Sequence, residues 1–116
     1  MKHQMNLNPS PFYMIKSGEK TIELRLNDEK RRLLNVGDEI EFINTEDDKQ
    51  KLLTEIVAMH HFKSFEVLYK NLPLLKCGYT QEDIANAKAS DMDIYYSKEK
   101  QSKYGVLGIE IKVINE

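Results

Sequence analysis

The residues of this chain best equipped for chemistry fall in one octet, Gly18-Glu19-Lys20-Thr21-Ile22-Glu23-Leu24-Arg25. Read as a strand from Lys20 to Leu26, it puts Ile22, Leu24 and Leu26 on one face and Thr21, Glu23 and Arg25 on the other. Same-face side chains recur about every 6.8 Å, twice the strand rise, so Arg25 can orient or pair with Glu23. Lys20, at the strand entrance, leans over the same site. A hydroxyl, a carboxylate and two cations at this spacing have two chemical uses. As a binding site, Lys20 and Arg25 hold a phosphate or carbonyl oxygen while Glu23 accepts from an exocyclic amine or a ribose hydroxyl. As a catalytic site, Glu23 is a general base if burial raises its pKa, and either cation stabilises an oxyanion. The same pattern also fits a solvated strand face with surface ion pairs, each worth under about 1 kcal/mol.

Other chemistry-bearing residues are more scattered. Lys30-Arg31-Arg32 follows the octet on a charged loop, partly offset by Asp28 and Glu29, with Lys16 upstream. Arg31 and Arg32 are candidate phosphate contacts. Lys98, Lys100 and Lys103 are spaced as a solvated helix face. Tyr95 and Tyr96 are neighbours, so on a strand only one can face a ligand and stack on a base. His60 and His61 point to opposite faces of a strand end and do not share a metal, and no metal site is expected. Cys77 is the single cysteine, which excludes an internal disulfide and a multi-cysteine zinc site.

These residues must be positioned by a small number of elements. His3, Met5 and Leu7 alternate with polar residues in a first strand. Ser10 is placed to cap a helix whose first turn tolerates Pro11, with Phe12 and Ile15 on one side and Gly18 as its stop. After the Lys20–Leu26 strand, Asn35-Val36-Gly37-Asp38 reads as a turn. Asp38 to Ile43 alternates again, Glu46-Asp47-Asp48 marks a hairpin connection, and Lys51 to His61 is the next strand. Ser64 caps a helix carrying Phe65, Leu68 and Leu72; Thr80 and Asp83 form a capping-box pattern ahead of Ile84; Ser97 to Tyr104 adds one or two more turns. The chain closes on Val106 to Ile114, the most apolar strand and the one expected at the centre of the sheet.

Five strands with helices inserted before the last predict an α+β fold, a small curved sheet or barrel of about five to six strands with three to four short helices. All 116 residues are read as one domain. The first seven residues are polar and alternating, so no signal peptide is expected. No apolar run approaches the roughly 20 residues that span a bilayer. A reduced, cytoplasmic setting follows by default.

The order and spacing of several weak motifs narrow the field further. Gly18-x-Lys20-x-x-Glu23-x-Arg25, then Val36-Gly37-Asp38 before an apolar strand, then Tyr95-Tyr96-Ser97 and Tyr104-Gly105-Val106 at the end, resemble the ASCH (activating signal cointegrator homology) domain from about Asn8 to Val113. The resemblance implies a PUA-like β-barrel with helices around one cleft, generally regarded as an RNA-binding or RNA-processing module. It places Lys20, Thr21, Glu23, Arg25, Arg31, Arg32 and Tyr96 at that cleft, the Lys30-Arg31-Arg32 loop on its rim. The implied ligand is single-stranded RNA or a nucleoside or nucleotide, with no cofactor. One bacterial branch removes acetyl groups from N4-acetylcytidine with a lysine, a threonine and a glutamate. Lys20 matches that lysine. The threonine position is occupied by Glu23, Thr21 corresponding to a non-catalytic position, and the glutamate region reads Lys76-Cys77-Gly78-Tyr79. An amidohydrolase built on Lys20 and Glu23 is therefore the alternative to a binding module, and an adaptor with a vestigial cleft is a third.

Net charge bounds the partner. Seventeen Lys and Arg against nineteen Asp and Glu give a formal charge of −2. That excludes a generally basic nucleic-acid coat protein and leaves room for a local basic groove; long duplex DNA is not expected as a partner.

Overall fold

The computed structural model describes residues 1–115. Strand β1 (Lys2–Leu7) leads into helix α1 (Pro9–Ser17), then β2 (Ile22–Leu26), β3 (Glu39–Asn44) and the long β4 (Asp47–Phe62). Helix α2 (Phe65–Asn71) opens a region of short 3-10 turns, closed by helix α3 (Lys98–Tyr104) and strand β5 (Val106–Asn115). The five strands form one curled half-barrel in the order β1-β3-β4-β5-β2, and the architecture is α+β as expected. Only β1 and β3 run parallel; the other neighbours are antiparallel. β5 lies inside the sheet, between β4 and β2, while β4 takes the middle place.

Curvature comes from a bulge. Ile56 pairs with Ile111 and Ala58 with Glu110, leaving Val57 without a partner and half-exposed. An extra residue of this kind bends its strand and strengthens the local twist. The bulge also inverts the burial phase of β4. Leu52, Thr54 and Ile56 are buried before it, and beyond it His60 reaches Glu110 across the strand pair at 3.0 Å.

The inside of the curl is packed with Met5, Leu7, Phe12, Ile15, Ile40, Phe42, Leu52, Ile56, Leu107, Ile109 and Ile111. A second core sits on the other face of β2, where Ile22, Leu24 and Leu26 meet Phe65, Leu68 and Val106. β2 is thus buried on both faces, and its polar face shares the inside of the curl with the apolar residues of β5. Glu23 pairs with Ile109 and Arg25 with Leu107 in the register. Nothing in the alternation of residues 20–26 distinguishes this from a face turned to water.

Several boundaries differ from the sequence reading for local reasons. Helix α1 begins at Pro9 with Asn8 as N-cap, two residues ahead of Ser10, because Pro9 supplies the fixed φ of the first helical residue. Asn8 makes no side-chain cap bond and accepts instead from Thr45 Oγ1 at 3.1 Å. Gly18 ends the helix in the left-handed region, φ 89°. The Thr80–Asp83 box forms reciprocally, at 2.5 and 3.3 Å, yet it opens only a 3-10 turn, Ile84–Asn86. The hairpin connection is shorter than read, since β4 already begins at Asp47, and β2 begins at Ile22 rather than Lys20. Among the described residues no helix is long and apolar enough to cross a membrane.

Candidate functional site

The ladder is open between its two outer strands, β1 and β2. Arg25 bridges that seam: its Nη2 donates to the Asn6 carbonyl of β1 at 2.9 Å, while its Nε donates to Glu23 Oε2 at 2.6 Å. Lys20 approaches from the connection ahead of β2, where its own N–H is held by the Met14 carbonyl at 3.0 Å. Its Nζ lies 2.8 Å from Glu23 Oε1. Both Glu23 oxygens are therefore occupied by cations. The side chains of Lys20, Glu23 and Arg25 are 11%, 5% and 14% exposed, so the triad forms a nearly buried floor.

Burial works against the charge on Glu23, but the charges and hydrogen bonds of Lys20 and Arg25 outweigh it and hold the carboxyl below its usual range. Burial likewise works against Arg25, and Glu23 more than restores it. A general base with a raised pKa is not what this geometry makes of Glu23. Its carboxylate fixes two donors in place. Lys20 keeps two ammonium N–H groups beyond its bond to Glu23, and these remain for a ligand.

Above the floor lies a cleft of about 920 Å³, lined by Lys20, Glu23 and Arg25 and by residues of the region after α2. Tyr96, also part of the lining, stacks on Phe65 with centroids 6.1 Å apart and planes 18° from parallel. Tyr95 beside it is 63% exposed. A hydrogen-bonded chain completes the wall. Tyr69 and Tyr79 hydroxyls are 2.7 Å apart, and Tyr79 donates to Asp91 Oδ2 at 2.8 Å. Burial and these two partners raise the Tyr79 pKa, whereas the Tyr79 hydroxyl holds Asp91 below the ordinary carboxylate range. Sequence reasoning missed Tyr69, Tyr79 and Asp91. They come from a short helix and irregular turns with no periodicity to align them, and only the tertiary fold brings them opposite the octet.

Cys77 also lines the cleft, close enough to Lys20 and Glu23 for their charges to act on it. Burial pushes its thiol up to about 11, with Lys20 opposing and Glu23 adding to the shift. Gly78 follows with φ 112°, its backbone packed close to the Lys20 stem. We expect Cys77 to resist alkylation at pH 7.5 in the folded chain and to react at an ordinary thiol rate once unfolded, measured by mass spectrometry with iodoacetamide. Comparable rates in both states would show the thiol to be accessible.

The structure does not gather every residue that the sequence singled out. Thr21 does not line the cleft; its N–H is bonded to the Lys76 carbonyl at 2.9 Å and its carbonyl to the Ile111 N–H at 2.9 Å. Arg31 and Arg32 do not rim the cleft as expected, because the 3-10 turn Arg31–Leu33 carries them to a separate depression with His61. Arg31 stays near enough to Tyr96 to act on it electrostatically. Among the described residues no group of three or more His, Cys, Asp or Glu side chains is arranged to hold a metal.

Comparison with known proteins fits this arrangement of half-barrel, seam and cleft. The ASCH domain family model matches residues 5–115. The chain belongs to the ASCH domain family. Among solved structures, the hypothetical protein PH0355 is 32% identical, with a TM-score of 0.81 over 98% of this chain and 100% of that one. Protein PF0455 from Pyrococcus furiosus is 31% identical, with a TM-score of 0.76 over the whole of both chains. The ASCH protein from Zymomonas mobilis shares the fold at 14% identity, TM-score 0.66, over 94% of this chain and 65% of that one. No curated protein matches the chain.

Proposed function

We propose that this ASCH domain binds a nucleoside unit, free or presented by single-stranded RNA, in the cleft above the Lys20–Glu23–Arg25 floor. The observation that carries the reading is the triad itself: a carboxylate spent on two cations, whose remaining donors meet an aromatic and hydroxyl-bearing wall. Spare N–H groups of Lys20 and Arg25 suit the carbonyl oxygens of a base, and Asp91 Oδ1, free of any hydrogen bond among the described residues, suits an amino or hydroxyl donor. Tyr95 and Tyr96 supply faces for stacking. The volume is that of a small-molecule site.

Charge decides which part of a nucleotide belongs here. Lys20 and Arg25 are opposed by Glu23, Asp83 and Asp91 around the same cleft. Such a lining favours the uncharged base and ribose over a polyanion. The same wiring speaks against an amidohydrolase that uses Glu23 as its base, since the carboxylate is kept ionised and has no free oxygen.

Calorimetric titration with the four ribonucleosides, N4-acetylcytidine and a short single-stranded RNA tests the proposal. We expect saturable binding of at least one nucleoside and an RNA affinity that falls only gently with salt, with a log–log slope no steeper than about −2 for two or three phosphate contacts. Absence of saturable binding by every nucleoside and by RNA at low salt overturns it and leaves the adaptor reading. Turnover of N4-acetylcytidine that survives Glu23→Gln and disappears with Lys20→Met would replace binding by catalysis at Lys20.

A further inference from the structure

The depression that holds Arg31 and Arg32 is a second candidate site. It measures about 440 Å³ and is lined by Asn27, Arg31, Arg32 and His61, with Leu34 and Met59 as apolar neighbours. Among the described residues, two buried side-chain polar atoms lack a hydrogen-bond partner, Asn27 Oδ1 and Arg31 Nε. Both belong to residues of this one depression. Buried groups are ordinarily satisfied, so an orphaned donor and an orphaned acceptor on residues of one depression call for an explanation, and a bound group able to partner both is one.

The surroundings hold both guanidinium groups without using them up. Asp28 Oδ2 lies 3.6 Å from Arg31 Nη1, and Asp28 Oδ1 accepts the Arg31 backbone N–H at 3.1 Å. Arg32 donates through Nε to the Asn27 carbonyl at 2.8 Å and rests over the Tyr104 ring at 5.8 Å. Its outer nitrogens make no hydrogen bond among the described residues. Glu29 accepts from the Tyr104 hydroxyl at 3.3 Å. The charges tied to the depression are Arg31 and Arg32, with Lys103 on the same Tyr104 ring, against Asp28 and Glu29, a positive balance that contrasts with the cleft.

We propose that this depression binds a phosphate group. A small turn of the Arg31 side chain offers its Nε–H edge to a phosphate oxygen, with Arg32 supplying the second fork. The orphaned Asn27 oxygen refines the choice. Hydrogen phosphate carries both acceptor oxygens and one P–OH donor, so it satisfies the two orphaned atoms together, whereas sulfate at neutral pH has no donor to give. The site stands independently of what the cleft binds. Arg31 also acts electrostatically on Tyr96 of the cleft wall, so a nucleotide whose base occupies the cleft is a second source of the phosphate; its ester dianion meets the two guanidinium groups but brings no P–OH for Asn27 Oδ1.

Titration of the isotope-labelled protein with inorganic phosphate, followed by amide NMR, tests this directly. Saturable shifts are expected at residues 27–36 and 61, and sulfate or chloride at matched ionic strength should bind more weakly. Arg31→Lys keeps the charge but loses the fork, and should weaken phosphate about tenfold or more, the effect of one charge-assisted hydrogen bond. Asn27→Ala, with an unchanged spectrum elsewhere, should erase the preference for phosphate over sulfate. Shifts that rise linearly and are matched by chloride, or affinity unchanged in Arg31→Lys, overturn the proposal. A 5′-nucleoside monophosphate that outbinds its nucleoside by an Arg31-dependent factor assigns the phosphate to the cleft ligand. Equal binding of the two, with inorganic phosphate still saturating, assigns it to free phosphate. Failure of every nucleoside with phosphate binding intact removes the cleft reading and leaves this one standing.

Discussion

Replacing Glu23 with alanine is expected to destabilise the fold by about 3 kcal/mol, the lower part of the range for removing one partner from a buried charge network. The change strips two nearly buried cations of their common counter-ion, and in Arg25 it loosens the side chain that bridges β1 to β2. The open cleft lets Lys20 and Arg25 recover some water, which keeps the cost from the top of that range. For a chain of this size the melting temperature should fall by about 10 °C or more. A loss under about 1 kcal/mol in denaturant unfolding would mean that the triad contributes no more than an exposed ion pair.

The same residue sets a pH dependence whose direction is fixed. Glu23 titrates lower in the folded chain than in the unfolded one. Its contribution is therefore complete above the unfolded pKa, about 4.3, and is lost as pH falls through the lower folded value. Asp38, Glu41 and Asp91 are also held low, so the wild-type protein loses stability in acid for several reasons. The difference between wild type and Glu23→Gln isolates one of them. It should be greatest near neutrality and narrow below about pH 4; a gap that widens in acid would reverse the assignment.

How far the sequence foretold this site depends on what each signal can carry. Alternation specified which residues of β2 share a face, and Glu23 and Arg25 do share one with the register partners of β5. Alternation carries no information on which face meets water when both are covered, so the burial of the polar face was invisible. Ser64 was legible as a cap because a hydroxyl before an amphipathic turn has a local use, and it accepts from the Val67 N–H at 3.2 Å; Ser97, read only as the start of a turn, caps α3 in the same way from the Lys100 N–H at 3.2 Å. The half of the cleft made by Tyr69, Tyr79 and Asp91 was not legible. Its geometry depends on short turns whose path is set by packing on Phe65, Leu68 and Val106. Arg31 and Arg32 show the opposite failure: their charge was plain, but the turn that directs them away from the cleft has no signature in residue type.

Lys20 and Arg25 make similar bonds to Glu23, yet their removal should have separable consequences. Lys20 spends one donor on Glu23 and, among the described residues, its side chain makes no ion pair or hydrogen bond to another strand, so Lys20→Met mainly deletes cleft-facing N–H groups. Methionine fills the space of the stem beside Gly78. Arg25 spends Nε on Glu23 and Nη2 on the Asn6 carbonyl, across the only place where the described strands fail to pair around the curl. Arg25→Met should therefore open the seam between β1 and β2 as well as remove a donor. Nucleoside affinity is expected to fall by about tenfold to a hundredfold in either variant, the range for losing a charge-assisted hydrogen bond. Hydrogen exchange separates the two. Amides of β1 should exchange faster in Arg25→Met and stay near wild type in Lys20→Met. Equal protection of β1 in both would show that the edges are held by the strands' own packing, and the role left to Arg25 would then be that of Lys20, a donor on the floor of the cleft.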